Sequence, residues 1–485
     1  MSGTWLPDPS HYPEQMTPLS ASVWFEALGL GLHEAMRELR GPFGGFRTRT
    51  ELGWAYEAEL EPEWDHDPEA FRAAALGLHE RWRNELQPRV WAITAELREL
   101  RPELPPPTEA VVLIDRLWEL VREQWRIHFL VVVPAQIAAE IFHDRYVEFF
   151  GDDDRLAAYR MLERPRSEEQ LLRLARRATE LRVDHLIRDF PVEHALVRLR
   201  GLALGRTWLR ELDDYLAVYG GRSRWHELSL PREAELPQLT FEAMRLYLER
   251  PPPEPRAPEP VPDELCELHG VCAPAFALKE QHTYEIDYPG LAATREALLG
   301  FGRRLVAECL LDELDDVWML TRSELREALT GDAGGLGRLV GERRAELADG
   351  LRRGPRPYLG EPPADAERHA ALEKFYGSGG RALAGAGASP GVAEGTARVV
   401  AGAEDFGRVQ PGDVLVAATT TPAWTPLFPS LAALVTDTGG ILSHAAVVAR
   451  EYRIPAVVGA AGATAAIPDG TRVRVDGTTG TIALL

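Results

Sequence analysis

The sequence predicts a multidomain protein in which a mainly α-helical region, residues 1–375, precedes a compact α/β domain, residues 386–485. Three observations predict this fold class. The chain has 485 residues, which is more than one hydrophobic core usually serves. Apolar residues recur at helical spacing from about residue 66 to about residue 248. Beyond about residue 385 the apolar runs become short and strand-like, as in DVLVA, ALVTD and RVRVDG.

The helical region contains one proline-rich interruption and ends at a glycine-rich segment. PPPEPRAPEPVPDE, residues 251–264, cannot hold a helix and predicts an extended connection within the same domain. Helices are predicted to resume in GLAATREALLGFGRRLVAECLLDELDDVWML, and a capping box at Thr321 predicts the start of another helix. YGSGGRALAG, residues 376–385, predicts a flexible hinge before the α/β domain.

Charge and composition exclude several classes of protein. The formal net charge of −21 repels nucleic-acid phosphates and anionic lipid surfaces, so neither a nucleic acid nor a membrane is an expected partner. The longest apolar run, from Ile127, is too short to span a bilayer and contains Pro134 and Glu140. Three cysteines without framework spacing, and an N-terminus without a signal-peptide pattern, predict a cytoplasmic protein.

The stretch TDTGGILSHAAVVAREYRIPAVVG, residues 436–459, contains the main candidate for catalysis. Gly439 and Gly440 permit a tight turn after a buried strand, and Ser443 is a good N-cap for the helix HAAVVARE. His444 is therefore predicted at the first helical position, where unpaired amides disfavour a protonated ring and attract an anion. This position suits an imidazole nucleophile that becomes phosphorylated. Position alone also allows an ordinary surface or capping histidine.

GGILSHAAVVAREYRIPAVVG, with ASPGVAEGTARVV before it and IPDGTRVRVDGTTG after it, closely resembles the swivelling phosphohistidine domain of the phosphoenolpyruvate-utilising enzymes. The resemblance covers residues 386–485. It implies that His444 takes a phosphoryl group in one active site and that the domain swings on its hinge to deliver the group in another. The predicted phosphate-binding residues of this domain are Gly439, Gly440, Ser443 and the cationic candidate Arg398.

The helical region resembles the acceptor-binding domain of the rifampin phosphotransferases in this family. The similarity lies in PEQMTPLSASVW from Pro13, YGGRSRWHELSLPRE from Tyr219 and LLDELDDVWMLTRSELREAL from Leu310. It implies a phosphotransferase whose helical domain binds a small organic molecule with a hydroxyl group. No ATP-grasp pattern is evident in the sequence, and in phenylphosphate synthase the ATP-binding part is a separate polypeptide. We therefore expect a separate ATP-grasp partner that binds ATP and Mg²⁺.

Five residues of the helical region are candidates for the acceptor site. Arg222 and Arg224 are candidates to hold the phosphoryl charge, and Glu227 matches a glutamate of the rifampin phosphotransferases that would orient or deprotonate the hydroxyl. A solvated charged loop is an equally weighted alternative. His282 and Asp287 match a His-x-x-x-x-Asp pattern of this helical family, with His282 as base and Asp287 as its orienter. A structural histidine is the alternative.

No metal site is predicted in this chain. Cys266, His269 and Cys272 form C-x-x-H-x-x-C, but a fourth ligand is not evident. Two hypotheses remain for the whole chain. It is either a phosphotransferase with a phosphohistidine intermediate, or a non-catalytic phosphohistidine carrier or interaction protein whose acceptor domain is degenerate.

Overall fold

The structure is a computed structural model that describes most of the chain. The described residues are 3–8, 11–100, 106–151, 154, 156–162, 169–223, 225–249, 259–331, 334–361, 383–420 and 422–485. Three predictions fall partly or wholly outside them: the role of Arg224, the hinge over residues 376–382, and the first part of the proline-rich connection, residues 251–258.

Helices account for most of the regular structure, and strands gather near the two ends of the chain. The α-helices are, in chain order, α1 (Pro18–Ser20), α2 (Glu26–Leu39), α3 (Pro68–Leu76), α4 (Leu78–Arg81), α5 (Gln87–Glu99), α6 (Pro107–Phe150), α7 (Ala157–Leu162), α8 (Glu169–Glu180), α9 (Asp184–Asp189), α10 (Val192–Gly201), α11 (Ala203–Tyr219), α12 (Gln238–Glu249), α13 (Cys266–His282), α14 (Tyr288–Ala307), α15 (Arg322–Leu329), α16 (Leu336–Arg353), α17 (His444–Tyr452) and α18 (Ala463–Ala466). The strands are β1 (Thr4–Pro7), β2 (Phe46–Glu51), β3 (Trp54–Glu59), β4 (Leu359–Gly360), β5 (Ala386–Ser389), β6 (Val392–Val400), β7 (Val414–Ala417), β8 (Ala433–Thr436), β9 (Ala456–Val458), β10 (Arg472–Asp476) and β11 (Thr481–Leu484).

The chain forms two compact units. Unit 1 comprises Met1–Phe142, His226–Leu230 and Glu267–Ala366, and unit 2 comprises His143–Trp225, Pro231–Cys266 and Glu367–Leu485. The predicted combination of a large helical part and a separate α/β part is confirmed. The helical part contributes to both units rather than to one.

Unit 1 contains a small antiparallel sheet that the sequence did not predict. Its strand order is β2-β3-β1-β4, and Trp5, Tyr56 and Leu359 are buried on it. β1 has four residues and β4 has two, and they come from distant parts of the chain. Because strands this short carry little periodicity and their pairing is not local, no pattern along the sequence identifies them.

The helices of unit 1 agree with the sequence where local signals are strong. The capping box at Thr321 is confirmed, because the Thr321 hydroxyl accepts from the Glu324 amide at 3.3 Å and the Glu324 carboxylate accepts from the Thr321 amide at 2.8 Å. The expectation that the apolar run from Ile127 is too short to span a bilayer is wrong as to length: the helix continues through Pro134, and within the described residues Glu109–Phe150 of α6 has the length and composition to cross a membrane. However, 61% of its apolar window is buried inside the protein, as expected for a core helix.

Unit 2 contains a seven-stranded mixed sheet and the helices α7 to α12. The strand order is β11-β10-β6-β7-β8-β9-β5, with parallel pairing from β6 to β9 and antiparallel pairing at both edges. Every residue of β7, β8 and β9 is buried, which is typical of parallel strands covered on both faces. α17 connects β8 to β9 and carries His444 at its start.

Candidate functional site

His444 is the first residue of α17, as the sequence predicts. Ser443 is the N-cap, and its hydroxyl accepts from the Ala446 amide at 3.4 Å. Gly439 has a φ of +102°, and a Cβ added there would lie 3.0 Å from the Ser443 hydroxyl oxygen, so the turn requires glycine. The loop therefore places the imidazole ring at the end of the helix where unpaired amides attract an anion.

The His444 ring is half-buried and contacts one threonine. The hydroxyl oxygen of Thr425, in the 3-10 helix Pro422–Ser430, lies 3.2 Å from Nε2 of His444. Thr425 itself is buried. When the hydroxyl donates to Nε2, that nitrogen carries the lone pair and Nδ1 carries the proton. This tautomer leaves Nε2 as the nucleophilic nitrogen.

Arg398 is the predicted phosphate-binding cation of the α/β part, and Arg450 of α17 is a second cation in the same part. Arg450 is buried and donates to the carbonyls of Ala388 at 2.9 Å and Ile441 at 2.7 Å, so it fastens the loop that precedes α17. Arg398 lies on β6 and forms ion pairs with Asp413 at 3.2 Å and with Asp469 at 3.6 Å. Both cations therefore have structural partners.

Arg222 lies in a buried polar network of unit 2. Its guanidinium donates to the Tyr215 hydroxyl at 3.1 Å and to the Thr240 hydroxyl at 3.0 Å. Burial raises the pKa of the neighbouring Glu233, although Arg222 and Thr240 act to lower it. The hydrogen bonds of Arg222 therefore favour a structural role for this residue. Arg224 lies outside the described residues.

Glu227 belongs to unit 1, where it accepts several hydrogen bonds at the start of α1. Its carboxylate accepts from the hydroxyls of Thr17 at 2.8 Å and Ser20 at 2.6 Å, and from the Ser229 amide at 3.0 Å. Arg295 also donates to the carbonyls of Leu228 and Ser229. These bonds attach the segment His226–Leu230 to the rest of unit 1.

The three stretches that carry the resemblance in the helical region meet around α1. Thr17 and Ser20 of PEQMTPLSASVW bind Glu227 of YGGRSRWHELSLPRE. Ser22 of the first stretch accepts from the Arg322 amide of LLDELDDVWMLTRSELREAL at 2.8 Å. The parts of these stretches that belong to unit 1, including His226–Leu230 of the second, thus contact one another around α1.

His282 and Asp287 lie together, and a third residue, His128 of α6, joins them. Nδ1 of His128 is 2.8 Å from one oxygen of Asp287, and Nε2 of His282 is 3.3 Å from the other. The two imidazole rings are edge to face with centroids 4.7 Å apart. We call His128, His282 and Asp287 the histidine–aspartate cluster.

A π-helical turn, Thr283–Asp287, explains why His282 and Asp287 are neighbours. In an α-helix, residues five apart lie on different faces, whereas the hydrogen bonds of a π-turn join residues i and i+5. The turn therefore brings the carboxylate of Asp287 back to the ring of His282. Such turns are rare and occur frequently at functional sites.

The electrostatics of the cluster favour an ionised Asp287 and a neutral His128. Burial raises the pKa of Asp287, but His128 and His282 outweigh it and hold that pKa well below its usual range. Burial also lowers the pKa of His128, and Asp287 offsets only part of this effect. A neutral His128 that donates from Nδ1 to Asp287 keeps a lone pair on Nε2 and can accept a proton there.

The charges of Asp287 and Glu227 both act on a third residue, Tyr12. Burial raises the pKa of its phenol well above the ordinary value, and the charges of Asp8, Glu57, Asp287 and Glu227 raise it further. Both predicted carboxylates, Asp287 and Glu227, therefore act electrostatically on the same buried side chain. Sequence reasoning missed both Tyr12 and His128, because each is separated from Asp287 by more than a hundred residues and neither belongs to a local pattern.

A series of aromatic contacts connects the π-helical turn Ala21–Phe25, which follows α1, with the histidine–aspartate cluster. The centroids of Trp24 and Trp125 are 5.0 Å apart, those of Trp125 and His128 are 4.8 Å apart, and both tryptophans are buried.

The residues Cys266 and Cys272 of the C-x-x-H-x-x-C pattern differ in environment, since the first is exposed and the second is buried.

Comparisons with known proteins identify the C-terminal part. Residues 409–480 match the family described as PEP-utilising enzyme, mobile domain. A rifampicin phosphotransferase of Bacillus cereus is 39% identical over 191 residues, which cover 39% of this chain and 21% of that protein. The uncharacterized phosphotransferase YvkC of Bacillus subtilis is 36% identical over 215 residues, which cover 43% of this chain and 26% of YvkC.

A third relative extends along nearly the whole chain. The chondramide synthase cmdD of Chondromyces crocatus is 30% identical over 543 residues, which cover 99% of this chain and 14% of that protein. The chain thus spans at most 26% of the length of these three relatives. It carries the mobile domain of the phosphoenolpyruvate-utilising enzymes, and phosphotransferases of that family are among its relatives.

Proposed function

We propose that this chain is a phosphotransferase component in which Nε2 of His444 carries a phosphoryl group to a hydroxyl of a small organic acceptor bound by unit 1. The observation that supports the proposal most strongly is the half-buried ring at the start of α17, in a segment that matches the mobile-domain family. The related rifampicin phosphotransferases support an organic acceptor.

In the loading step, the lone pair on Nε2 attacks the phosphorus of the donor, an N–P bond forms and the P–O bond to the leaving nucleotide breaks. The donor we propose is ATP with Mg²⁺ on a partner protein of the ATP-grasp type. The amides at the start of α17 stabilise the negative charge of the phosphoryl group on the ring. Thr425 orients the ring before attack and releases Nε2 as the N–P bond forms.

In the transfer step, the acceptor oxygen attacks the phosphorus, the N–P bond breaks, and its electron pair returns to Nε2 of His444. Phosphoryl transfer depends mainly on alignment and charge neutralisation, but the hydroxyl proton still needs an acceptor. We propose that the histidine–aspartate cluster takes this proton.

Within the cluster, His128 is better placed than the predicted base His282. Nδ1 of His282 lies 3.3 Å from the Leu278 carbonyl and its Nε2 faces Asp287, so both of its ring nitrogens have neighbours. His128 uses Nδ1 for Asp287, which leaves Nε2 for the acceptor hydroxyl. Glu227 accepts hydrogen bonds from Thr17, Ser20 and Ser229, which favours a structural role for this carboxylate.

The proposal is tested by following the phosphoryl group. The protein is incubated with ATP, Mg²⁺ and a candidate ATP-grasp partner, and mass spectrometry under non-acidic conditions measures covalent phosphate before and after addition of rifampicin as a first hydroxyl-bearing probe. We expect an acid-labile phosphate on the wild type and on the control His194→Ala, which alters an exposed histidine of unit 2. We expect none on His444→Ala.

The same experiment separates the two hypotheses for the chain. Phosphate that passes from His444 to a hydroxyl-bearing probe supports the phosphotransferase. Phosphate that loads but is discharged to no hydroxyl compound in a panel supports a non-catalytic carrier. Equal labelling of wild type and His444→Ala would contradict both.

A further inference from the structure

The histidine–aspartate cluster has the composition and dimensions of a metal site. One side-chain atom from each residue, a ring nitrogen of each histidine and an oxygen of Asp287, lies within 4.8 Å of the other two. Zinc–nitrogen and zinc–oxygen bonds of about 2.0–2.2 Å separate neighbouring tetrahedral ligand atoms by about 3.3–3.5 Å. Small side-chain rotations therefore suffice to direct all three atoms at one ion.

The hydrogen bonding of His282 favours a cation between its ring and Asp287. A carbonyl oxygen can only accept, so the contact between Nδ1 of His282 and the Leu278 carbonyl at 3.3 Å places a proton on Nδ1. In the neutral ring, Nε2 then presents a lone pair to a carboxylate oxygen 3.3 Å away. Two lone pairs repel at this distance, so either a proton on Nε2, which makes the ring an imidazolium that donates to Asp287, or a metal ion has to lie between the two atoms. A metal-binding histidine typically makes this kind of bond, from its other ring nitrogen to a backbone carbonyl.

A third histidine also interacts with the charge of Asp287: burial lowers the pKa of His11, but Asp8, Glu57 and Asp287 outweigh this effect and raise that pKa to about 9. Among the described residues, the ion-pair partners of this buried carboxylate are His128 and His282. Gln124, one turn before His128 on α6, donates to the Ile286 carbonyl at 3.0 Å. No described residue donates to its buried side-chain oxygen.

The approach of Gln124 depends on a glycine. A Cβ added at Gly290 of α14 would lie 1.8 Å from the Gln124 amide nitrogen. Gly290 therefore allows α14 to pack against the side chain that binds the backbone next to Asp287. The packing of α6 against α14 thus holds the backbone on either side of the cluster in place.

We infer that the histidine–aspartate cluster binds one divalent transition-metal ion, with Zn²⁺ as the best match, through Nδ1 of His128, Nε2 of His282 and a carboxylate oxygen of Asp287. Two imidazoles and one carboxylate are a ligand set that suits zinc and first-row metals. Three protein ligands leave a fourth position open, as in catalytic rather than structural zinc sites. The inference departs from the sequence prediction, which assigned no metal to this chain.

The metal site stands on the cluster alone, whereas its role in catalysis rests on the proposed function. An acceptor hydroxyl in the fourth position would be acidified by the metal and would lose its proton to solvent. Without metal, the hydroxyl proton would go to Nε2 of His128. These two routes for the hydroxyl proton are alternatives. A chelator should slow phosphoryl transfer if the metal acidifies the hydroxyl, and it should leave transfer unchanged if His128 accepts the proton.

Cobalt titration of the full chain tests the inference without any acceptor. Co²⁺ replaces Zn²⁺ and gives visible absorption bands whose intensity reports low coordination number. We expect about one Co²⁺ per chain, displaced by Zn²⁺, with at least about 100-fold weaker binding in His128→Gln and His282→Gln, since loss even of an outer-shell partner costs about 10–100-fold.

Two control variants distinguish Co²⁺ binding at the histidine–aspartate cluster from Co²⁺ binding elsewhere in the chain. His444→Ala and Cys266→Ser should bind Co²⁺ like the wild type, because neither residue belongs to the cluster and Cys266 is exposed. Circular dichroism verifies that each variant is folded. Absence of cobalt bands in the wild type at saturating metal, or bands that persist in both histidine variants, would overturn the inference. Neither result would affect the test of phosphate loading on His444.

Discussion

The two candidate sites of this protein are built in opposite ways. The His444 site is formed mainly by one continuous segment, in which a glycine turn, the N-cap Ser443 and helix α17 follow each other, and Thr425 joins it from 19 residues away. The histidine–aspartate cluster combines His128 with Asp287, which is 159 residues away. A continuous site is determined by local backbone rules, whereas a discontinuous one depends on helix packing and on a π-turn. Mutations should therefore separate loading at the first site from transfer at the second.

The largest effect is expected at His444. His444→Ala removes the only proposed nucleophile, so phosphate incorporation from ATP and the partner should fall to background. The helix should persist, because alanine has the highest helix propensity and Ser443 still caps it. Phosphate incorporation is measured by mass spectrometry, and circular dichroism reports the helix content. Incorporation that survives this change would show that another residue is loaded.

The second effect concerns transfer alone. His128→Gln removes the proposed proton acceptor while leaving unit 2 untouched, and loss of general-base catalysis typically costs 10²–10⁴-fold in rate. The preloaded variant should therefore discharge to a hydroxyl acceptor about 10²–10⁴-fold more slowly than the wild type, at an unchanged loading rate. Rapid-quench measurement of both steps tests this expectation. A parallel loss in loading would mean that the two sites are not separable.

The third effect is on stability. Glu227→Ala leaves the hydroxyls of Thr17 and Ser20 and the Ser229 amide without their shared acceptor. Hydrogen bonds to a charged group contribute about 1.5–3 kcal/mol, so we expect the free energy of unfolding of unit 1 to fall by about 2–3 kcal/mol. Glu227→Gln, which keeps one acceptor oxygen, should lose less. If denaturant unfolding shows no loss while transfer is abolished, Glu227 is a base rather than an anchor.

The smallest effect is expected at Thr425. Thr425→Val removes the hydroxyl next to Nε2 of His444 and preserves the shape of the side chain. A neutral hydrogen bond contributes about 0.5–1.5 kcal/mol, which corresponds to a roughly two- to twelvefold slower loading rate. Thr425→Ser restores the hydroxyl and should restore the rate. Equal loading by the valine and serine variants would show that the contact does not orient the ring.

The same contrast explains how much the sequence could predict. The strands β6 to β11, the helix α17 with its N-cap, and the capping box at Thr321 all follow from local patterns, and the structure contains each of them. The addition of β1 and β4 to the hairpin β2-β3 and the place of His128 depend on contacts between distant segments, which a single sequence does not reveal. The π-turn at Thr283–Asp287 changes the spacing on which a helical-face argument relies.

The candidate residues also differ according to whether their contacts are close or distant in the chain. His444 and Ser443 were predicted together with the glycine turn and the helix, because these are adjacent in the chain, whereas Thr425, which contacts Nε2 from 19 residues away, was not predicted. Arg222 and Arg398 were chosen for their charge, but the sequence does not show that Thr240, Asp413 and Asp469 already interact with them. The chemical type of a side chain is thus visible in the sequence, while its availability depends on partners that only the fold provides.

The identity of the phosphorylated atom tests the central claim most directly. Phosphorus-31 NMR of the loaded protein at alkaline pH, combined with tandem mass spectrometry, distinguishes phosphate on Nε2 from phosphate on Nδ1 and from acid-stable phosphate on a hydroxyl. The account predicts a single phosphoramidate on Nε2 of His444. Phosphate on Ser443 or Thr425, on Nδ1 of His444, or on a histidine of unit 1 would contradict it.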